Sequence, residues 1–165
     1  MARMKARPRT ALDDGSNPQS DAAVLTVRLG EMLNAEVDEF FRPWGITALQ
    51  FNVLRILYVR DAERNGISRG MLESLLIRRV PDVTRLLDRL ESGGLIERYR
   101  PKEDQRTSLA RLTDKGWDLV EHTHDALLAL NRAQFGGFTK SELKNYVALL
   151  RKALTRASDT TRAAE

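Results

Sequence analysis

The chain contains no cysteine, which excludes disulfides, thiolate zinc sites, thiol nucleophiles and cysteine-based redox sensing. Aromatic residues make up only 6% of it, a composition that argues for a helical chain over a β-sandwich. No apolar run approaches the roughly 18 residues of a membrane span, and the first residues lack the apolar stretch of a secretory signal. The expectation is a cytoplasmic protein with no membrane partner. His122 and His124 are the only histidines. They stand two apart in a segment expected to be helical, which turns them to nearly opposite sides and argues against a two-histidine metal site. Acidic neighbours such as Glu103 and Asp104 come without a nucleophile partner or an apolar cleft, so the sequence gives no reason to expect an enzyme, a metal or a cofactor.

What is present fits one domain. The chain has 165 residues and a mass of 18.7 kDa, with 42% apolar and 30% charged residues, within the roughly 100 to 200 residues usual for a domain. A net charge of +4 and a pI near 9.7 favour an anionic partner without proving one. Arg3, Lys5, Arg7 and Arg9 precede the turn-rich Asp13-Asp14-Gly15-Ser16-Asn17-Pro18, so residues 1–18 read as a mobile basic arm. Residues 19–165 read as a single domain.

Within it, Leu25, Leu29, Met32, Leu33, Val37, Phe40 and Phe41 recur at helical spacing, predicting a long first helix over about 19–43 that Pro43 and Gly45 end. Thr47 and Gln50 form a capping box, and Ile46 and Phe51 a hydrophobic staple, for a second helix whose buried face is expected at Leu49, Val53, Ile56 and Leu57. Asn65-Gly66 turns the chain, and Ser68 caps a short third helix ending near Leu76 or Ile77. Beyond Gly116, Trp117, Val120, Leu127 and Leu128 mark another helix, broken by Gly136-Gly137. Thr139 and Glu142 then open a last one carrying Leu143, Tyr146, Val147 and Leu150. The first and the last two helices carry apolar stripes beyond what the centre needs, and a second copy is the simplest surface to cover them.

The centre is the stretch from Ser68 to Gly116. A helix over about Val80–Ser92 places Val83, Leu86, Leu87 and Leu90 on one face and leaves Asp82, Thr84, Arg85, Asp88 and Arg89 outward. Gly93-Gly94 stops it, and Leu95–Arg100 and Ser108–Leu112 form two extended runs around Pro101-Lys102-Glu103-Asp104-Gln105-Arg106. The fold class is therefore mainly α: a winged helix-turn-helix with a small β-hairpin wing, over 47–116, flanked by end helices at 19–43 and 114–157. From Arg78 to Arg111 nine cations stand against six carboxylates, a local excess of three that holds most of the chain's surplus.

Val83-Thr84-Arg85-Leu86-Leu87-Asp88-Arg89-Leu90-Glu91, followed by Gly94-Leu95-Ile96-Glu97-Arg98, resembles the recognition helix and first wing strand of the multiple antibiotic resistance regulator (MarR) family. Asp104-Gln105-Arg106 with Leu112-Thr113 and Gly116 is similar to its wing signature. The resemblance implies a sequence-specific transcriptional regulator. It would be a homodimer binding double-stranded DNA at a pseudo-palindromic operator, as a repressor released by a small aromatic, phenolic or anionic effector. The alternative is a winged-helix architectural or protein-interaction module without ligand response. In one place the chain departs from the family: Ile77-Arg78-Arg79-Val80-Pro81-Asp82 stands where a serine or threonine usually begins the recognition helix. The expectation is a lost cap, an added arginine pair, and a base preference that is the protein's own.

On this footing Thr84 and Arg85 are the expected base readers, since arginine grips guanine through two acceptors and threonine offers hydroxyl or methyl. Arg79 is expected to serve bases or phosphate and Arg78 to join it at the DNA, while Ser68 is expected first to cap its helix, with a phosphate contact from Ser68 or Arg69 secondary. Arg106, with its guanidinium held extended by Asp104, is expected in the minor groove. Asp88 and Arg89 read as structural partners. For an effector pocket, Phe41, Trp44, Tyr58 and Trp117 offer aromatic walls and Arg42 an anion anchor, although core or dimer packing explains each aromatic at least as well.

Overall fold

The computed structural model describes residues 17–77, 80–102 and 104–162, with side chains through Arg156. The described chain forms six α-helices and a small three-stranded sheet: α1 (Pro18–Phe41), a single 3-10 turn (Arg42–Trp44), α2 (Ala48–Arg60), β1 (Ile67–Ser68), α3 (Arg69–Leu75), α4 (Val83–Ser92), β2 (Ile96–Tyr99), β3 (Leu109–Leu112), α5 (Asp114–Gln134) and α6 (Lys140–Arg162). Within α5 the described chain divides into two compact units, the first ending at His122 and the second beginning at Thr123.

Helix α1 begins earlier than its apolar stripe suggests. Asn17 accepts from the Gln19 and Ser20 N–H groups at 3.1 and 3.0 Å, and Pro18 takes the first helical position, where its missing N–H costs nothing. The last two residues of the expected arm thus belong to the helix, and the other sixteen lie outside the described residues. At α2 the capping box forms in full: the Gln50 N–H donates to the Thr47 hydroxyl at 3.2 Å and the Thr47 N–H donates to the Gln50 side chain at 2.9 Å. Asp38 of α1 adds an acceptor for the Ala48 N–H at 2.5 Å, tying α1 to the start of α2. The buried face of α2 is wider than expected. Phe51, Val53, Leu54 and Leu57 are buried while Leu49 and Ile56 are half-buried, because α2 packs against several elements at once.

Helix α4 differs from expectation at its start. Asp82 is its N-cap, accepting from the Arg85 N–H at 2.9 Å. The helix begins at Val83, three residues late, and the cap expected to be missing is supplied by aspartate, which serves there as well as serine. Val83, Leu86, Leu87 and Leu90 are all buried and Asp82, Thr84, Arg85, Asp88 and Arg89 all exposed. Each buried leucine is worth about 1.5–3 kcal/mol, which is what orients the polar face. At the other end the Leu95 N–H donates to the Leu90 carbonyl at 3.0 Å and the Gly94 N–H to the Glu91 carbonyl at 2.8 Å. These are the paired bonds of a Schellman stop, made possible by the positive φ of 68° at Gly94.

The wing strands are shorter than the extended runs that predicted them, and β3 lies between β2 and the two-residue β1, antiparallel to both. Strand β1 was not expected. Its pairing, Ile67 with Ala110 and Ser68 with Leu109, involves too few residues to leave a period, and it anchors the start of α3 to the wing. In the second unit, Thr139 and Glu142 form the expected capping box. Phe135, Phe138 and Tyr146 pack as a triangle with ring centroids 5.7 to 6.2 Å apart.

Candidate nucleic-acid interface

Three elements converge on one charged concavity. Strand β1 and the Ser68 cap set the start of α3, the leucine stripe of α4 turns Thr84 outward, and the β2–β3 hairpin brings round the wing. Between them lies a cleft of about 450 Å³ lined by Ser68, Arg69, Thr84, Arg98, Arg100 and Arg106 among others. Ser68 accepts from the Met71 N–H at 3.3 Å, as a cap should. Of the residues expected from sequence, the cleft gathers Ser68, Arg69, Thr84 and Arg106. Arg85 lies outside it, beside a shallower hollow shared with Asp88 and Arg89. Arg78 and Arg79 lie outside the described residues. Arg100 was counted only as charge in the sequence, because no local pattern shows that the end of β2 faces α3.

The Asp104 brace acts on different atoms from those expected. Its carboxylate accepts from the Arg106 backbone N–H at 2.9 Å. Its pKa is held below the usual carboxylate range first by the Thr107 hydroxyl and then by that N–H. Among the described residues no ion pair joins Asp104 to the Arg106 guanidinium. The aspartate therefore shapes the turn of the wing, and the turn presents the arginine.

Behind the interface, Arg98 of β2 clamps the recognition helix. Its backbone N–H and Nε each donate to Glu91 at 2.9 Å, and its Nη2 donates to Glu91 and Asp88 at 2.6 Å each. Asp88 is thus turned to the wing, as its structural reading implied, while Arg89 lines a cavity instead. Glu91 is held below the usual carboxylate range, chiefly by the Arg98 side-chain hydrogen bonds and, more weakly, by the Arg98 backbone N–H and charge, with partial burial opposing. Because the folded-state pKa is depressed, this contribution to stability is present above the ordinary glutamate range and lost as pH falls through the lower folded value. Urea midpoints measured between pH 6 and pH 3 are expected to fall less steeply below about pH 4 in Arg98→Met than in the wild type. Equal acid limbs would show that the clamp carries no stability.

A second cavity, of about 570 Å³, lies between the start of α2, the C-terminal end of α4 and the first turns of α5. Trp44, Gln50, Arg89, Leu95, Lys115 and His122 are among the residues lining it. Of the five expected pocket residues only Trp44 is there. Phe41 is fully buried and stacked on Phe51 at 4.1 Å, so it belongs to the core. Arg42 lines a separate hollow and pairs with Glu39. Tyr58 and Trp117 pack on each other at 4.6 Å, and both donate to Glu121. The cavity's own basic groups, Arg89, Lys115 and His122, come from elements far apart in sequence, so no spacing announced them. Among the described residues no group of metal-ligating side chains forms.

A helix-turn-helix whose second helix turns a polar face outward beside an arginine-bearing wing has the architecture of a winged helix transcription regulator. Comparison with known proteins agrees. The MarR family model matches residues 46–108. The chain is 33% identical over 132 residues to the multiple antibiotic resistance protein MarR of Escherichia coli (strain K12), covering 77% of this chain and 89% of that one. It is similar to Staphylococcus aureus MepR in a DNA complex, with a TM-score of 0.73 and 25% identity over 81% of this chain and 96% of that one. It is likewise similar to a cysteine-to-serine variant of Escherichia coli MarR complexed with operator DNA, with a TM-score of 0.70 and 30% identity over 80% and 92%. The chain belongs to the MarR family of DNA-binding transcription regulators.

Proposed function

We propose that the chain acts as a homodimeric repressor that grips a pseudo-palindromic operator and releases it when a small aromatic or phenolic anion binds. The observation that carries the DNA reading is the cleft between α3, α4 and the wing, where Arg69, Arg100 and Arg106 stand beside the exposed Thr84. Phosphates supply affinity to such a surface and base edges supply specificity. Thr84 and Arg85 take the base edges, and Ser68, Arg69 and Arg100 the phosphates. Arg106 takes the narrow minor groove. Arg78 and Arg79 join them on sequence grounds.

The dimer reading is supported by exposed apolar residues on the end helices, Val27 and Met32 on α1 and Val147 and Leu149 on α6, which a second copy would cover. The effector reading is supported by the 570 Å³ cavity, whose Trp44 wall and Arg89, Lys115 and His122 rim suit an aromatic acid. Because Arg89 belongs to α4, an anion drawn to it would act directly on the recognition helix.

Selection of duplexes from a random library tests the whole reading. The expected product is a pseudo-palindrome with half-site centres roughly 34 Å apart, with selection lost on adding an aromatic acid such as benzoate or salicylate. Arg106→Ala is expected to weaken all duplexes alike and to reduce the slope of log K against log salt by about two, one contact per protomer. Sedimentation as a monomer at micromolar concentration, or selection of single unpaired sites, would refute the dimer. Selection indifferent to every aromatic acid tried would favour a regulator without ligand response.

A further inference from the structure

Threonine offers a base two different groups: a hydroxyl that hydrogen-bonds, and a methyl that packs on the methyl of thymine. The surroundings of Thr84 distinguish between them. Arg69, the first residue of α3, holds its guanidinium between two acceptors. Its Nε lies 3.3 Å from a Glu73 carboxylate oxygen one turn along the same helix, and its Nη1 donates to the Thr84 hydroxyl at 3.3 Å. The planar guanidinium thus meets an acceptor on each of two edges. The hydroxyl and methyl of threonine occupy separate staggered positions on one carbon, so fixing one fixes the other. With the hydroxyl accepting from Arg69 in the cleft that both residues line, the methyl takes a different staggered position on the same carbon.

We propose that Arg69 is a positioning residue for base recognition: it crosses the helix-turn-helix, holds the Thr84 hydroxyl toward α3, and leaves the Thr84 methyl to pack on a thymine in each half-site. This rests on the reading of Thr84 as a base contact. Specificity at that base pair is then set by a residue of the other helix, and its chemical target is the thymine 5-methyl group.

Deoxyuridine pairs as thymine does and lacks only that methyl, so it isolates the contact. A duplex selected by the full-length protein is remade with each thymine replaced in turn by deoxyuridine, and affinities are measured at fixed salt. One replacement per half-site is expected to weaken wild-type binding about three- to fourfold, the size of one buried methyl group. Thr84→Val, which keeps a methyl, retains that sensitivity, and Thr84→Ser abolishes it. Arg69→Lys, which keeps the charge without the two-edged grip, loses most of it. As a ratio between two duplexes, the sensitivity is unmoved by a general loss of stability or affinity. If no substitution at Thr84 alters any base preference, the base-contact reading itself is wrong. If Thr84→Val changes the preference and Thr84→Ser does not, the hydroxyl reads the base and the present proposal alone is overturned. Full discrimination in Arg69→Lys would remove the positioning role.

Discussion

Replacing Gly116 by alanine is expected to cost at least about 3 kcal/mol of stability, beyond ordinary overpacking, because backbone and not a side chain stands in the way. A β-carbon at this position would sit 2.0 Å from the Leu95 carbonyl oxygen and 3.0 Å from its carbon. That carbonyl also accepts from the Thr113 N–H at 3.2 Å, and the Thr113 hydroxyl donates to the Gly94 carbonyl at 2.7 Å and accepts from the Gly116 N–H at 3.1 Å. The end of the recognition helix, the start of β2 and the first turn of α5 are laced together at one point, which leaves no rotamer to relieve the clash. Urea unfolding reads the loss directly, and DNA affinity should fall with it because residues 93–95 must shift. A variant within about 1 kcal/mol of wild type, the range of a mild substitution, would show that the close approach gives way easily.

Arg85→Ala is expected to do the opposite: leave stability alone and remove specificity. The Arg85 side chain is exposed, and among the described residues it takes part in no ion pair. Its backbone N–H completes the Asp82 cap, a bond that alanine keeps. If Arg85 grips guanine through two acceptors, its loss should reduce discrimination at one base pair per half-site by roughly 5- to 150-fold, the 1–3 kcal/mol of a bidentate contact. Binding to unrelated duplexes should fall much less. The contrast with Arg106→Ala, where loss is uniform, separates base reading from phosphate or groove contact. Equal losses on selected and unrelated DNA would make Arg85 a phosphate clamp.

Much of the fold was legible because it depends on short-range order. The stripe of Val83, Leu86, Leu87 and Leu90 specifies which face of α4 is buried. The Thr47–Gln50 and Thr139–Glu142 boxes specify where two helices begin, and Gly93-Gly94 where one ends. Helix α4 starts later than its pattern suggests because Asp82 caps it and leaves Pro81 outside. The interface was half legible. Thr84, Arg85 and Arg106 stand in recognisable local patterns, but the roles of Arg98, Arg100 and Arg69 depend on what lies across from them. Arg98 meets Glu91 and Asp88 only because β2 folds back along α4. The cavity proposed for an effector was the least legible part: Trp44 lines it, and the other four residues expected there go to the core, a separate hollow and an aromatic pair.

The sequence by itself determined that the chain is helical, that a winged helix-turn-helix sits at its centre, and which face of the recognition helix is outward. Periodicity and caps are properties of neighbours within a few residues. Only the tertiary structure decided which arginines share a cleft, that Asp104 holds the wing's backbone and not its guanidinium, and that Arg69 reaches Thr84 from the other helix. Those pairings join residues brought together by the burial of Leu72, Leu87, Leu90 and Ile96, and burial of apolar surface is non-directional. It fixes where polar groups meet without leaving a spacing from which the meeting could be read.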